Sequence, residues 1–292
     1  MSGSTAAAAS ISSRSSEIYD LLSCSNREII TIAHRGVWSA GPENSLAAIR
    51  AAAELGVEFV EIDTQTTADG HLVVIHDKAL DRTTSGSGVV GASSFSAVRD
   101  LRLRDGAGGE AAALTDERVP TLEEALEEAR GRVFVNIDTK FPHELPLVIA
   151  AVRRLGAEDH VIIKSDVVPE SGDFSVLAAD WFGSIPHMPM FPVRPGKFAA
   201  DLRLIEALRA PMAEVEFTDI ADLAAGRDEL ERQNIRLWIN TLDVSHNLDF
   251  NDSRAVNDPE GVWGALVEAG VGAIQTDTNV ELKRWLSSRK PA

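Results

Sequence analysis

Two acidic side chains set two residues apart in a β-rich run, Glu61 and Asp63 in FVEIDTQ, raise the first chemical question. Residues i and i+2 of a strand project to the same side with Cα atoms about 6.5–7 Å apart, so both carboxylates share one face. Val60 and Ile62 take the other face, where a barrel strand would meet its helices. The run VFVNIDT at 133–139 repeats the alternation, with Asn136, Asp138 and Lys140 on one side and Val135 and Ile137 on the other. Three carboxylates thus converge inward, where uncompensated charge is costly. An oxygen-only ligand set suits a hard divalent cation such as Mg²⁺ or Ca²⁺. Ion pairs with Lys or Arg would meet the same cost, and spacing alone leaves both readings open. His34 closes an apolar run ahead of Arg35 and Gly36, and His76 closes another ahead of Asp77. Imidazole titrates near pH 6.5, so one histidine can take a proton while the other gives one near neutrality. Two histidines, a metal and flanking cations suit phosphate-ester cleavage, although either histidine alone also reads as structural.

The elements that must carry these residues follow a βα rhythm. Nine β-rich segments occur, at 29–33, 59–65, 72–76, 133–139, 161–165, 181–185, 213–217, 236–240 and 272–276. Helix-like stretches lie between them, such as SLAAIRAAAELG (45–56) and TLEEALEEARG (121–131), the latter opened by a capping box at Thr121 and Glu124. Only AlaAspGly separates FVEIDTQTT (59–67) from HLVVIHD (71–77), and Asp69–Gly70 suits a tight antiparallel turn. With that third segment an appendage, eight strands remain, the number that closes a TIM barrel, an α/β fold. The Gly- and Ser-rich stretch at about 78–120 lacks the rhythm and reads as a small insertion after the second strand. The expected organisation is an N-terminal tail over 1–28 and one barrel over 29–292.

At 292 residues the chain has the length for one such barrel, and 44% apolar with 25% charged residues is ordinary globular composition. Twenty-eight basic against 45 acidic residues leave a net charge of −17, which provides no broad basic surface for nucleic acid or an anionic membrane. The single cysteine, Cys24, excludes an intramolecular disulfide and a cysteine-based zinc site. Residues 1–28 have neither the basic start nor the apolar stretch of a secretory signal, so they read as a cytoplasmic tail with a short helix around Glu17 to Leu22. No later run approaches the roughly 18 apolar residues of a membrane span.

The order of motifs carries a family resemblance. His34ArgGly, Pro42GluAsnSer, Glu61IleAsp, Asp69Gly, His76Asp, AspArgThrThr (81–84), ValProThrLeuGluGluAla (119–125), Asn136IleAspThrLys, RLWIN (236–240) and GlnThrAsp (275–277) follow one another along the chain. Over about residues 30–286 this resembles the glycerophosphodiester phosphodiesterase family. The resemblance implies a TIM barrel that hydrolyses small soluble phosphodiesters to a phosphomonoester and an alcohol. It implies His34 and His76 as general acid and base, Glu61, Asp63 and Asp138 as ligands of one divalent metal ion, and Arg35 and Lys140 as phosphate contacts. Asp138 stands where the family usually has Glu, so a cation must shift toward that strand or gain a bridging water.

Other features weigh less. Trp238 offers an apolar wall for the alcohol or is simply core. Lys164 is a further candidate phosphate contact, while Glu214 and Glu216 line the barrel or form a salt-bridged strand end. His71, His143, His160, His187 and His246 match no ligand spacing and read as surface or structural. Gly86SerGlyValValGly spells GxGxxG without a preceding strand or a following helix, which argues against a nucleotide site. The proline-rich Pro186–Lys197 and the segment 244–257 read as loops that shape specificity, or as a lid or oligomer contact. Three rivals keep the barrel: a lyase ending at a cyclic phosphate, a sugar-phosphodiester hydrolase, and a barrel that binds phosphorylated ligands without turnover. Neither the alcohol, the native metal nor the oligomeric state is legible.

Overall fold

A computed structural model describes residues 17–244, 247 and 249–289. The fold is a (β/α)₈ barrel of eight parallel strands carrying one added antiparallel strand. The strands are β1 (Ile30–His34), β2 (Phe59–Thr66), β3 (Leu72–Val74), β4 (Arg102–Arg104), β5 (Leu114–Arg118), β6 (Phe134–Thr139), β7 (Val161–Asp166), β8 (His187–Pro192), β9 (Met212–Glu216), β10 (Arg236–Asn240) and β11 (Val271–Thr276). Two compact units divide the chain, a first over 33–157 and a second made of 1–32 with 158–292.

In the first unit β2 pairs in parallel with β6, placing Glu61 opposite Asn136 and Asp63 opposite Asp138. The register follows from the shared alternation: slipping by one residue would turn every carboxylate toward the helices. β3 returns antiparallel on β2 through the turn at Asp69–Gly70, where Gly70 N–H donates to Thr67 O at 2.9 Å and adopts φ +81. The stretch from 78 to 120 carries the two-stranded β4–β5 ribbon and packs Leu80, Val98, Leu103 and Val119 with Val73 and Ile75 into one apolar cluster. The capping box forms as the sequence indicates: Thr121 Oγ1 accepts from Glu124 N–H at 3.1 Å, and Glu124 Oε2 accepts from Thr121 N–H at 3.0 Å.

The second unit holds β7 to β11 as consecutive parallel neighbours. Its core packs Phe191, Phe198, Trp263 and Trp285 with aliphatic side chains from the strands. Here one expectation fails. The strand lies at 187–192, inside the segment read as a proline-rich loop, while WFGSI at 181–185 is a turn in which Ser184 N–H donates to Trp181 O at 3.0 Å and Gly183 takes φ +83. The prolines fit because neither missing donor was needed. Even-numbered residues of β8 bond toward β7 and odd-numbered ones toward β9. Pro189 precedes the pairing with β9, which starts at Met190, and Pro192 follows the pairing with β7, which ends there.

Residues 17–22 are helical as expected, with Ile18 and Leu22 wholly buried. The segment after them is held by Arg236, whose guanidinium donates to the carbonyls of Leu22, Ser23, Asn26, Glu28 and Gly272 at 2.5–3.3 Å. Among the described residues no helix is long and apolar enough to cross a membrane.

Candidate active site

The first unit gathers seven of the eight singled-out residues near the C-terminal ends of β1, β2 and β6, where barrel chemistry sits. HisArgGly has a local physical reason. Arg35 takes φ +55 and Gly36 φ +83, and a Cβ on Gly36 would lie 2.7 Å from the Ala48 Cβ. The chain can therefore pass the helix Leu46–Leu55 only with glycine there. The left-handed conformation costs Arg35 about 1–2 kcal/mol and turns its N–H onto Glu61 Oε2 at 3.2 Å. Pro42GluAsnSer supplies the counter-side. Ser45 caps the helix, and Asn44, also left-handed at φ +57, donates to Asp63 Oδ2 at 2.7 Å and accepts from Asp63 N–H at 3.1 Å.

Glu61 and Asp63 are buried, and with Asp138 they bring one carboxylate oxygen each within 4.8 Å of one another. Asp63 Oδ1 lies 2.5 Å from Lys140 Nζ, and its Oδ2 lies 3.3 Å from Arg35 Nε. Lys140 also donates to Asp138 Oδ2 at 2.9 Å. Burial alone would raise the Asp63 pKa, but the charges of Lys140 and Arg35 prevail and hold it well below the usual carboxylate range. Burial works against the Lys140 charge, yet Asp63, Asp138 and Glu61 raise its pKa above the ordinary value. His34 is buried at the end of β1; His76 stands two residues past β3, about one-third exposed, with Nδ1 2.7 Å from Asp77 Oδ1. Burial lowers the His76 pKa against the opposing pull of Asp63.

Whether this donor set fits a divalent cation can be tested on the charges. Around the cluster the carboxylates of Glu43, Glu61, Asp63, Asp77 and Asp138 face the cations Arg35, Arg82 and Lys140, an excess of two negative charges when the acids are ionised. One divalent cation balances it. Beside Glu61, the amide of Asn136 is fully buried with no hydrogen-bond partner on either atom, so a polar group is missing from its surroundings. The ion pairs do not close the site, because a carboxylate oxygen offers two lone pairs and a hydrogen bond to Lys140 uses one. The residues fit.

The second unit holds the remaining candidates. Trp238 has no exposed surface, and its Nε1–H donates to Asn240 Oδ1 at 2.7 Å; the Asn240 amide donates to Glu214 Oε1 at 2.8 Å. Lys164 Nζ lies 3.7 Å from Glu214 Oε2, so these two form an inward ion pair, while Glu216 is exposed. His187 is buried against Ser165 Oγ at 2.9 Å, and burial pushes its pKa down to about 4. His160 is buried as well, and His246 lies outside the described residues. Sequence reasoning gave no role to Glu43, Asn44, Asp77 or Arg82, although each stands inside a motif it had marked.

A model of the glycerophosphoryl diester phosphodiesterase family matches residues 34–170, and a family described only as a domain of unknown function matches 187–286. A glycerophosphodiester phosphodiesterase of Caldanaerobacter subterraneus subsp. tengcongensis is 40% identical over 142 residues, 47% of this chain and 57% of that protein. The chain spans only 30% to 57% of the length of the curated relatives it matches. Among solved structures, a glycerophosphodiester phosphodiesterase from Agrobacterium tumefaciens aligns with a TM-score of 0.64 at 25% identity, over 88% of this chain and 99% of that one. One from Parabacteroides distasonis aligns with a TM-score of 0.72 at 23% identity, over 95% and 93%. Over residues 34–170 the chain is similar to the glycerophosphoryl diester phosphodiesterase family, and over most of its length it shares the barrel of those solved structures.

Proposed function

We propose that this chain hydrolyses a small glycerophosphodiester to a phosphomonoester and an alcohol. The observation that carries the reading is the junction of β2 and β6, where three carboxylates meet beside Arg35 and Lys140 within a cluster whose negative charge exceeds its positive charge by two. In this reading Glu61, Asp63 and Asp138 hold one divalent cation, Mg²⁺ or Ca²⁺. When bound, such an ion supplies charge neutralisation for the non-bridging phosphoryl oxygens.

The chain's own residues supply the rest. Arg35, paired on one side with Glu43 and Asp63, presents a guanidinium at a fixed orientation, which suits the planar recognition of a phosphoryl group. Two of the three Lys140 ammonium protons are met by Asp63 and Asp138, and in this reading the third serves a phosphoryl oxygen. His76 keeps its Nδ1 on Asp77, so Nε2 is the nitrogen that exchanges a proton with substrate; His34 serves the opposite oxygen. One histidine takes a proton from the attacking water as its oxygen bonds to phosphorus, and the other protonates the alcohol oxygen whose bond to phosphorus breaks, a pairing worth about 10²–10⁴ in rate for each group; a neighbouring substrate hydroxyl as attacker would instead give a cyclic phosphate first. The buried Trp238 contributes by holding Asn240 and Glu214 in place rather than by meeting the alcohol directly. The chain's setting in this reading is the cytoplasm, with a small-molecule substrate.

Phosphorus NMR of sn-glycero-3-phosphocholine incubated with the protein tests this. The expected result is a phosphomonoester signal that stops growing after chelation and resumes on adding Mg²⁺ or Ca²⁺. A cyclic phosphate that persists would replace hydrolysis with the lyase reading. No turnover of this or any diester with either ion would leave the non-catalytic barrel.

A further inference from the structure

Two motifs remain without a task after the site is assembled: AspArgThrThr at 81–84 and the Glu43 of Pro42GluAsnSer. Their side chains meet. Arg82 Nε and Nη2 donate to Asp77 Oδ2 and Oδ1 at 2.7 and 2.8 Å, while Nη2 and Nη1 donate to Glu43 Oε1 and Oε2 at 2.7 and 2.8 Å. Nη1 also donates to the Ala107 carbonyl at 2.5 Å, so all five guanidinium N–H groups are engaged. Each carboxylate then reaches one residue of the site: Asp77 Oδ1 meets His76 Nδ1 at 2.7 Å, and Glu43 Oε1 accepts from Arg35 Nη1 at 3.0 Å.

We propose that Glu43, Arg82 and Asp77 form a positioning bridge that fixes the tautomer of His76 and the guanidinium of Arg35 as one preset pair. The inference rests on the hydrolase reading for its catalytic consequence. Its geometry is a single planar fork holding two carboxylates along two edges, which an ammonium cannot reproduce. The bridge is itself seated. Glu43 N–H donates to Gly106 O at 2.9 Å, Gly109 N–H donates to Arg82 O at 2.7 Å, and Gly108 at φ +74 passes so close that a Cβ would lie 2.5 Å from Arg82 O. The tip of the β4–β5 ribbon is thus fitted around Arg82. Because the hydrogen bond at one ring nitrogen sets the state of the other, Asp77 commits His76 to the Nδ1–H tautomer with its Nε2 lone pair turned to substrate.

The test compares wild type with Asp77→Asn, Arg82→Ala and Arg82→Lys by imidazole ¹⁵N NMR of His76, assigned through His76→Ala, alongside kcat and KM on sn-glycero-3-phosphocholine and a thermal melt. In wild type a single Nδ1–H tautomer is expected. In Asp77→Asn an amide N–H replaces an acceptor, so the ring turns to Nε2–H. Both Arg82 variants should lower kcat about 10- to 100-fold with KM changed less than about threefold, as loss of an orienting partner does. Lysine should not rescue, whereas it would if Arg82 supplied charge alone. An unchanged tautomer in all three variants, or full kcat in Arg82→Lys, overturns the bridge. A wild type that turns over no diester refutes the hydrolase reading instead, and the tautomer comparison still decides the bridge.

Discussion

The first unit gathers buried charges into one cluster with a surplus of one sign, whereas the second holds matched ion pairs such as Lys164 with Glu214 and, at Arg236 and Asp252, buried charges that face neutral dipoles. Asp63 is surrounded by Lys140, Arg35 and the Asn44 amide in a cluster with negative charge to spare. Arg236, equally buried, meets five backbone carbonyls and no carboxylate among the described residues. Asp252, buried in the second unit, accepts from the hydroxyls of Thr241 and Thr276 and from Asp277 N–H at 2.5–2.7 Å. A charge matched by neutral donors or acceptors is a bolt, complete as it stands. A charge matched by charges with a surplus of one sign is a site waiting for a partner.

The comparison is broken most severely at the histidines. His34→Ala and His76→Ala should each lower kcat/KM about 10²- to 10⁴-fold while leaving the melting temperature within a few degrees of wild type, as steady-state kinetics and calorimetry would show. Near-normal turnover in either variant removes that residue from the chemistry. Arg236→Ala should do the opposite. Stranding five carbonyls should cost about 3 kcal/mol or more in urea unfolding, with kcat of the folded fraction unchanged. A loss of turnover larger than the loss of folded protein would erase the distinction between the units.

Asp252 sharpens it. Burial raises its pKa from 3.8 to about 6, against the lowering effect of the Thr241, Thr276 and Asp277 donors. A carboxyl whose folded pKa exceeds its unfolded one binds protons more tightly when folded, so its contribution to stability is fully present below pH 4 and falls as pH rises toward 6. The fall is on the order of 2–3 kcal/mol. Asp252→Asn keeps the shape and cannot ionise, so its stability relative to wild type should increase between pH 4 and 7 and level off above. A pH-independent difference would show that the donors hold Asp252 ionised throughout. Gly108→Ala should have the smallest effect: strain at φ +74 against Arg82 O, read as a loss of about 1–2 kcal/mol in stability.

Much of this was legible in the residues and some was not, for physical reasons. The alternation around Glu61, Asp63 and Asp138 was readable because strand period and burial act on each segment locally. The capping box at Thr121 and the turn at Asp69–Gly70 are local as well. β8 was hidden because its prolines are tolerated by the staggered ends of its neighbours, which no single segment encodes. Glu43, Asp77 and Arg82 stood inside marked motifs, but their meeting depends on how two separate loops fold together. Arg236 left no signal, since backbone carbonyls have no sequence identity.

The central claim concerns the charge surplus at β2 and β6, and titration calorimetry of chelator-stripped protein with Mg²⁺ and Ca²⁺ measures it directly. One ion per chain should bind, and binding should vanish in Glu61→Gln and Asp63→Asn variants that retain the wild-type circular dichroism spectrum. Absence of binding by the wild-type chain at millimolar ion, or undiminished binding by both variants, would contradict it.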